Sequence, residues 1–380
     1  MRLVIILLTI LPDIYIWYHF LRNASPFIQT VWFLPFLIVA TLVLLLMSQY
    51  SEPWMFRIMA LLMIGCYIPK LFFLIPSLLG WALRWLVPVA WHIGNGVGIA
   101  SAVGIFSISC YGMLFGWKKL TVHEETLTFK NLPESFDGYR IVHISDMHIG
   151  TFAADPSVVG EIVNTVNSLH GDMVCFTGDL VNSSPSELMP YLDTLRTMKA
   201  PDGIYSIMGN HDYCIHAPRK SPSQHKVEIQ KVMEVERSLG WYLLLNENRI
   251  VHRGSDSIAV IGVENASKPP FPDYSDLKKA MKGVNSGQQP FSILLSHDPT
   301  HWRREVLPTT EIPLQLSGHT HATQFRLFGF SPSSLFYDEY GGLYEEEGRK
   351  LFISTGVGCN VAFRFGVWPE IVVLTLRKAR

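Results

Sequence analysis

Long apolar stretches occupy the first part of the chain and short ones the second, with the change near residue 117. A helix needs about 20 apolar residues to cross the hydrocarbon core of a membrane. Windows of this length predict an N-terminal region of four transmembrane helices, at residues 3–21, 27–47, 58–78 and 96–116. The stretch 79–91 is apolar but shorter and rich in Trp, which prefers the membrane–water interface. It is expected to be an interfacial connection or an extension of the third helix.

From residue 139 the apolar runs become short and alternate with amphipathic stretches. This pattern predicts three βα steps followed by a strand-rich half. The predicted helices are 156–169, 186–199 and 224–239. The predicted strands are 140–145, 173–177, 203–208, 249–253, 257–263, 291–296, 312–317, 350–354 and 370–376. Such an order is typical of an α/β or α+β fold in which sheets pack together with helices outside.

The distribution of charge changes at the same place as the apolar pattern. Residues 1–117 carry only seven charged side chains, whereas residues 118–380 carry 56. We therefore predict a membrane anchor at 1–117 and a water-exposed domain at 118–380, which excludes a fully soluble or a disordered protein. The second domain has a net charge of −4. That sign disfavours tracking of nucleic-acid phosphates, so no nucleic-acid partner is expected.

The first apolar window is expected to stay in the protein, because three more spans follow it and its aromatic residues make a poor cleavage site. With four spans, both ends of the anchor lie on one side of the membrane. That side has more basic residues (Arg2, Arg57, Lys118 and Lys119) than the other (Arg22 and Arg84). Positive residues favour the inside, so we expect a multi-pass protein of the cell (inner) membrane with a cytoplasmic second domain.

Two ionisable residues, Asp13 and Lys70, fall inside the predicted spans. A charge within lipid is costly, and such residues can form a buried pair or a polar path. The alternative is that each lies near a membrane face and extends its charged end toward water. We expect the second arrangement.

Residue types that bind metals follow five apolar runs of the second domain, each at a predicted strand end. The clusters are DMH at 146–148, GD at 178–179, GNHD at 209–212, SHD at 296–298 and GHTH at 318–321. In open α/β sheets, binding sites form at the carboxyl ends of strands. Each cluster alone is a weak signal, but the ordered set predicts one shared pocket.

The chemistry of this set predicts a metal centre. Its imidazole, carboxylate and amide groups, without thiolate, suit Mn, Fe or Zn. Seven ligands are too many for one tetrahedral ion and enough for two divalent ions that share a carboxylate. Glycines before three of the ligands permit tight turns. The seven candidates are Asp146, His148, Asp179, Asn210, His297, His319 and His321.

The ordered set D-x-H, GD, GNHD, H and GHTH resembles the calcineurin-like metallophosphoesterase superfamily, over about residues 120–380. The segments GHTHATQ at 318–324 and RFGVWPE at 364–370 resemble its bacterial membrane-associated branch. That branch includes phosphodiesterases and UDP-2,3-diacylglucosamine hydrolases. The resemblance implies a four-layer αββα sandwich behind the membrane anchor.

The resemblance also implies a role for each residue of the pocket. His211 matches the catalytic histidine, and Asp212 is expected to orient it. Asn210, His297 and His319 match ligands of the second metal. The first metal matches Asp146, His148, Asp179 and His321, with Asp179 shared between the two ions.

The implied reaction is hydrolysis of a phosphodiester or pyrophosphate, lipid-linked substrates included, by a hydroxide held between two ions. Two departures from the family pattern refine it. Protein Ser/Thr phosphatases carry GDxxDRG, but here Asn182 replaces the second Asp and no Arg follows. A protein phosphatase is therefore disfavoured, and a diester or a good leaving group is favoured. Ala322 and Thr323 also stand where many relatives have two glycines, which narrows the pocket.

Other classes remain open beside the enzyme. One is a catalytically silent membrane sensor or scaffold that keeps the fold, and another is a transporter regulated by the second domain. Residues 325–344 are aromatic and Gly-rich. They fit a pocket lining, a segment that dips to membrane lipids, or core packing. The metal, the substrate and the oligomeric state are left open by the sequence.

Overall fold

The computed structural model describes residues 2–46, 52–215, 221–269, 271–284 and 290–379. Its internal contacts divide the chain into two compact units. One unit contains residues 1–116 with 361–363, and the other contains residues 117–360 with 364–380.

Four helices of the first unit are long and apolar enough to cross a membrane, as the sequence predicts. They are α1 (Leu3–Leu21), α2 (Pro26–Leu45), α3 (Pro53–Leu83) and α4 (Ala90–Lys118). Helix α3 is longer than the predicted window, so the stretch after residue 78 is mainly an extension of this helix. A wider π-helical turn at Met63–Tyr67 precedes Pro69 and Pro76. Neither proline ends the helix. Such a turn absorbs the backbone distortion that proline imposes on a helix.

Glycines allow helices α3 and α4 to pack at close range. A Cβ atom on Gly94 would lie 2.5 Å from the carbonyl oxygen of Pro76, and one on Gly98 would lie 2.7 Å from that of Phe73. Gly94 and Gly98 have the GxxxG spacing that lets membrane helices approach through their backbones. The packing of this pair therefore depends on the absence of side chains at these positions.

Asp13 and Lys70 form an ion pair between α1 and α3. Lys70 Nζ lies 2.6 Å from Asp13 Oδ1, and the Tyr67 hydroxyl donates to Asp13 Oδ2 at 3.2 Å. The Asp13 side chain is fully buried, and the Lys70 ammonium also lies 4.2 Å from the ring centroid of Trp32. The expectation that each residue would reach a membrane face separately is wrong. Pairing lowers the cost of holding either charge in apolar surroundings.

The second unit is built on two six-stranded sheets in the described residues. Their strand orders are β1-β12-β2-β3-β4-β5 and β10-β11-β9-β8-β7-β6. The strands are β1 (Thr121–Phe129), β2 (Arg140–Ile144), β3 (Met173–Phe176), β4 (Ile204–Ser206), β5 (Tyr242–Leu243), β6 (Glu247–Arg253), β7 (Asp256–Gly262), β8 (Phe291–Leu295), β9 (Leu314–Ser317), β10 (Gly342–Glu346), β11 (Arg349–Ile353) and β12 (Glu370–Lys378). The helices are α5 (Ser157–Ser168), α6 (Leu192–Leu195), α7 (Pro222–Ser238), α8 (Leu277–Ala280) and α9 (Leu307–Thr309).

A single apolar core joins the two sheets. Buried side chains from the first sheet, such as Ile141 and Cys175, belong to the same cluster as Val260, Leu316 and Phe352 of the second. Strands β2, β3 and β4 run parallel, as do β7, β8 and β9. The carboxyl ends of each set therefore lie at one edge of its sheet. The predicted sandwich of sheets with helices is confirmed.

The elements that the sequence pattern missed have identifiable reasons. Strand β1 carries polar and charged residues at most positions and pairs only with β12 at the sheet edge, so it lacks an apolar signal. The predicted helix at 186–199 is instead a 3-10 segment, Pro185–Tyr191, followed by the single turn of α6. Pro190 lies inside this stretch and cannot donate a helical hydrogen bond.

Replacing Gly94 by Val tests the close packing of α3 and α4. The added side chain has no room, so we expect a loss of about 1–3 kcal/mol in stability of the membrane unit. Thermal unfolding of the full chain in detergent measures the effect. Gly96→Val is the matched control, because a Cβ atom there meets nothing within 4 Å. Equal unfolding temperatures for the two variants would contradict the packing described here.

Candidate metal centre

The candidate ligands lie on tight loops that follow the strands of both sheets. Asp146, His148 and Asp179 follow β2 and β3, and His319 and His321 follow β9. All five have positive φ angles, between 44° and 74°. Non-glycine residues rarely adopt this backbone region, and it is concentrated at functional sites. The fold therefore holds these residues in a strained backbone conformation, which directs their side chains toward one place.

At two positions around the centre there is no room for any side chain, so only glycine fits. A Cβ atom on Gly209 would lie 2.7 Å from His297 Cε1 and closer still to the carboxylate of Asp179. A Cβ atom on Gly318 would collide with the side chains of Ser145 and Asp146. The role of Gly209 and Gly318 is to let neighbouring loops approach closely. It is not the tight turn that the sequence predicts. Only Gly178, with φ of 93°, fits the tight-turn argument.

One group of ligand atoms is formed by Asp146, His148 and His321, all buried. The Nε2 atoms of His148 and His321 lie 3.0 Å apart. His321 Nε2 also lies 3.3 Å from Asp146 Oδ1, and His148 Nε2 lies 3.6 Å from Asp179 Oδ2. Nitrogen and carboxylate oxygen atoms that converge in this way resemble the inner face of a metal site.

A second group surrounds the other side of Asp179. His297 Nε2 lies 3.2 Å from Asp179 Oδ2. The Oδ1 atom of Asn210 and the Nε2 atom of His297 are buried without a hydrogen-bond partner among the described residues. The ring of His319 lies 5.1 Å from that of His297, and its Nε2 faces the hydroxyl of Tyr337 at 3.2 Å. His319 belongs to none of the converging groups of ligand atoms found among the described residues.

Protonation states within the centre also suit metal binding. Burial holds the pKa of His148 well below its usual range and lowers that of His321 to about 3, so both imidazoles are neutral donors of lone pairs. Burial favours the neutral form of Asp179, but the neighbouring His297 and His211 outweigh it and hold its pKa well below the usual value. Neutral imidazoles, an ionised carboxylate and an orphaned amide oxygen fit divalent cations.

Asp212 holds the loop that carries Asp179. Its carboxylate accepts hydrogen bonds from the backbone N–H groups of Asp179, Leu180, Val181 and Gly209, at 2.7–3.0 Å. Burial and the nearby charge of Asp179 raise the pKa of Asp212 to about 7. That Asp212 orients His211 stays a prediction, and four backbone N–H groups donate to its carboxylate.

The ring of His211 contacts a backbone carbonyl. Its Nδ1 lies 2.7 Å from the oxygen of Asn182, and its backbone N–H donates to Asp179 Oδ1 at 2.8 Å. Its Nε2 lies 3.3 Å from Asn360 Nδ2, and its ring centroid lies 4.7 Å from that of His148. His211 and the candidate ligand His319 are partly exposed, whereas the other candidate ligands are buried. A substrate at the centre can therefore reach His211.

Two supporting residues were not assigned a role from sequence. Arg364 is fully buried, and its guanidinium donates to the carbonyl oxygen of Thr355 at 2.7 Å and lies 3.2 Å from His321 Nδ1. Glu187 accepts from the backbone N–H of Asn182 at 2.6 Å. Contacts behind the ligands hold their orientation. Arg364 lies in the quoted RFGVWPE segment, but nothing in the sequence pattern connects it with His321.

The Ala322-Thr323 pair has the backbone that glycines would adopt easily. The φ angles are 45° at Ala322 and 51° at Thr323, and Ala322 is buried directly after His321. The methyl group of Ala322 therefore occupies space beside the ligands, at a position where many relatives would have none.

Comparison with known proteins connects this geometry to a family. The pattern of the family described as calcineurin-like phosphoesterase matches residues 139–323. A "Transmembrane protein with metallophosphoesterase domain" of Danio rerio is 30% identical over 72% of this chain and 61% of its own length. A Bos taurus protein of the same name is 29% identical over 98% of this chain and 88% of its own.

A bacterial relative covers about two thirds of this chain. The "Uncharacterized metallophosphoesterase YkuE" of Bacillus subtilis (strain 168) is 28% identical over 67% of this chain and 84% of its own length. The chain spans less than two thirds of the Danio rerio relative. The match with the Bos taurus relative extends through nearly all of this chain, and the four apolar helices agree with its printed name.

Metal binding should stabilise the folded protein, because the ligands meet only in the native state. For metal-depleted protein, Mn²⁺ at about 100 times its Kd is expected to add roughly 2.7 kcal/mol. Thermal unfolding with and without Mn²⁺ measures the shift. Asp179→Asn should remove most of it, whereas Asp193→Asn, at an exposed carboxylate, should keep it in full. An undiminished shift for Asp179→Asn would contradict the assignment of this centre.

Proposed function

The chain carries a calcineurin-like phosphoesterase domain at residues 139–323, and on that premise we propose a membrane-anchored enzyme that hydrolyses a phosphodiester or pyrophosphate. The protein is a membrane protein with a metal-dependent phosphoesterase fold. The convergence of the Asp146, His148 and His321 group with the Asp179 and His297 group carries the proposal. His211 stands at the exposed edge of that centre, where a reacting phosphate would bind.

The seven candidate ligands would hold two divalent ions. When bound, such ions supply a hydroxide nucleophile and neutralise charge on phosphoryl oxygens. The chain itself positions the ligands through the Asp212 contacts and the Gly209 and Gly318 approaches. His211 supplies a proton donor or acceptor at the edge of the centre, held by the carbonyl of Asn182. Its task would be to protonate the departing oxygen.

A diester substrate suits this support of His211 better than a phosphoprotein. The imidazole of His211 contacts a neutral carbonyl oxygen and not a carboxylate, so this hydrogen bond lacks the strength of a charge-assisted one. Departing groups that need little protonation are favoured under these conditions. The absence of an Arg directly after the GD loop also removes one cation that would help bind a doubly charged phosphate.

The four apolar helices support a substrate that resides in a membrane. The two basic residues Lys118 and Lys119 at the end of α4 support a cytoplasmic second unit, and the inner cell membrane is the proposed location. A lipid-linked diester or pyrophosphate is accordingly the proposed substrate class, with membrane lipids as contacts of the anchor.

A pair of chromogenic substrates tests the reaction type. Purified full-length protein with Mn²⁺ should hydrolyse bis-p-nitrophenyl phosphate faster than p-nitrophenyl phosphate, because the diester carries less negative charge. Release of p-nitrophenol from each, at matched concentrations, gives the ratio. A monoester rate above the diester rate would overturn the diesterase proposal, whereas the phosphoesterase fold would stand.

Replacing His211 by Ala separates an enzyme from a silent sensor or scaffold. The variant should lose roughly 10²–10⁴-fold in diester turnover, the usual contribution of a general acid or base. Its bound metal, measured by elemental analysis, should stay at the wild-type level. His123→Ala, at a half-exposed imidazole of β1, is the control. If wild-type and His211→Ala proteins hold metal equally and neither turns over substrate, the sensor interpretation replaces the enzyme.

A further inference from the structure

A short segment of the second unit exposes an unusual concentration of large apolar side chains. In residues 325–336, which we call the aromatic loop, Phe328 is 98% exposed, Phe336 76%, Leu335 69% and Phe330 52%. They are four of the eleven exposed large apolar side chains in the described part of residues 117–379. Scattered exposure is ordinary, but a contiguous apolar patch marks a site of interaction.

The backbone at the tip of the aromatic loop is shaped to display Phe328. Leu327 and Phe330 exchange backbone hydrogen bonds of 2.9 and 3.0 Å around a two-residue turn. Phe328 and Gly329, the central residues, have φ angles of 50° and 82°. Turns of this kind favour Asn and Gly, and a bulky residue with positive φ is disfavoured locally. Exposure of a phenyl ring to water is unfavourable, so a Phe at the tip of this turn is better suited to apolar surroundings.

Hydrogen bonds connect the aromatic loop to the histidine motif of the candidate metal centre, residues 318–321. Ser331 Oγ donates to the carbonyl oxygen of Ala322 at 2.7 Å, one residue after His321. The N–H of Arg326 donates to the oxygen of Phe365 at 2.8 Å. Just beyond the loop, Tyr337 contacts His319 Nε2 at 3.2 Å. A partner that binds Phe328 is therefore held close to the candidate metal centre.

A cation accompanies the apolar tip. Arg326 is partly exposed. It lies beside Gly341, next to Ala322. A guanidinium presents a fork of donors that matches a phosphate group. An aromatic tip with an arginine behind it has the composition of segments that rest at the bilayer interface, among lipid phosphates.

A bilayer is always available to this loop, because the chain carries its own membrane spans. Helix α4 ends at Lys118, and β1 begins at Thr121. With only two residues between them, the second unit stays at the membrane surface, and even a weak contact of the loop with lipid is favoured by the tether.

We propose that the aromatic loop inserts Phe328 into the bilayer interface and places Arg326 among lipid phosphates beside the metal centre. The insertion stands independently of catalysis. The assignment of a bilayer-resident phosphoester as substrate rests on the proposed function. Such a lipid would reach the ligands without leaving the membrane, since the loop that contacts its chains is bonded to the histidine motif.

Contact with lipid is tested on the full chain in vesicles of phosphatidylcholine and phosphatidylglycerol. Phe328→Cys is labelled with an NBD fluorophore in a background where Cys66 and Cys110 are Ala, since the other three thiols are buried. Including 5-doxyl phosphatidylcholine should quench this label several-fold more than labels at Met189→Cys and Val227→Cys, two exposed apolar positions elsewhere. Equal quenching at the three positions overturns the insertion.

The substrate class is tested with two compounds in the same vesicles. Phe328→Ser should lower turnover of dioleoyl CDP-diacylglycerol at least fivefold relative to turnover of soluble bis-p-nitrophenyl phosphate, and Arg326→Gln should raise the KM for the lipid. Val227→Ser is the control. Hydrolysis of the soluble diester with an unchanged ratio in Phe328→Ser overturns the lipid assignment alone. No hydrolysis of either compound by wild-type protein overturns the proposed function, while the quenching result still decides the insertion.

Discussion

Two buried carboxylates that share a small space repel each other, and the architecture of the second unit is arranged around that constraint. Ligand atoms of Asp146, Asp179 and His297 lie within 4.8 Å of one another, and all three residues are buried. A buried carboxylate without a cation is costly. Burial drives His148 and His321 to the neutral form, so these two imidazoles add lone pairs and no charge. Burial also opposes a charge on His297, but Asp179 outweighs it and raises the pKa of His297 to about 10. The negative charge that remains is what makes the pocket a place for divalent cations.

Bringing these groups together requires loops from two different sheets to approach one another closely. The two glycines at the approaches, Gly209 and Gly318, leave no space for a side chain. Asp212 binds four backbone N–H groups on neighbouring loops and thereby fixes the position of Asp179. The positive φ angles of the ligand residues show that the local backbone does not favour this arrangement. The apolar core between the sheets supplies the stability that holds it.

Sequence reasoning is strong where chemistry follows a strand and weak where it depends on contacts distant along the chain. The strand-end motifs are enough to name the seven ligand types and the fold, because parallel strands bring their carboxyl ends to one edge. The role of Asp212 could not be inferred, since its backbone partners become neighbours only after folding. The contact of Arg364 with His321 could not be inferred for the same reason. The Asp13–Lys70 pair depends on the rotation of two helices about their axes, which a hydropathy window does not contain.

The support of His211 links this geometry to the choice of substrate. A carboxylate behind a catalytic imidazole stabilises its protonated form strongly, as a charged hydrogen bond does. Here the acceptor is the carbonyl oxygen of Asn182, which is neutral. A phosphomonoester places more negative charge on the phosphate than a diester does and makes the departing oxygen harder to release without an acid and an additional cation. The proposed preference for a phosphate that carries a second ester bond rests on this difference in charge.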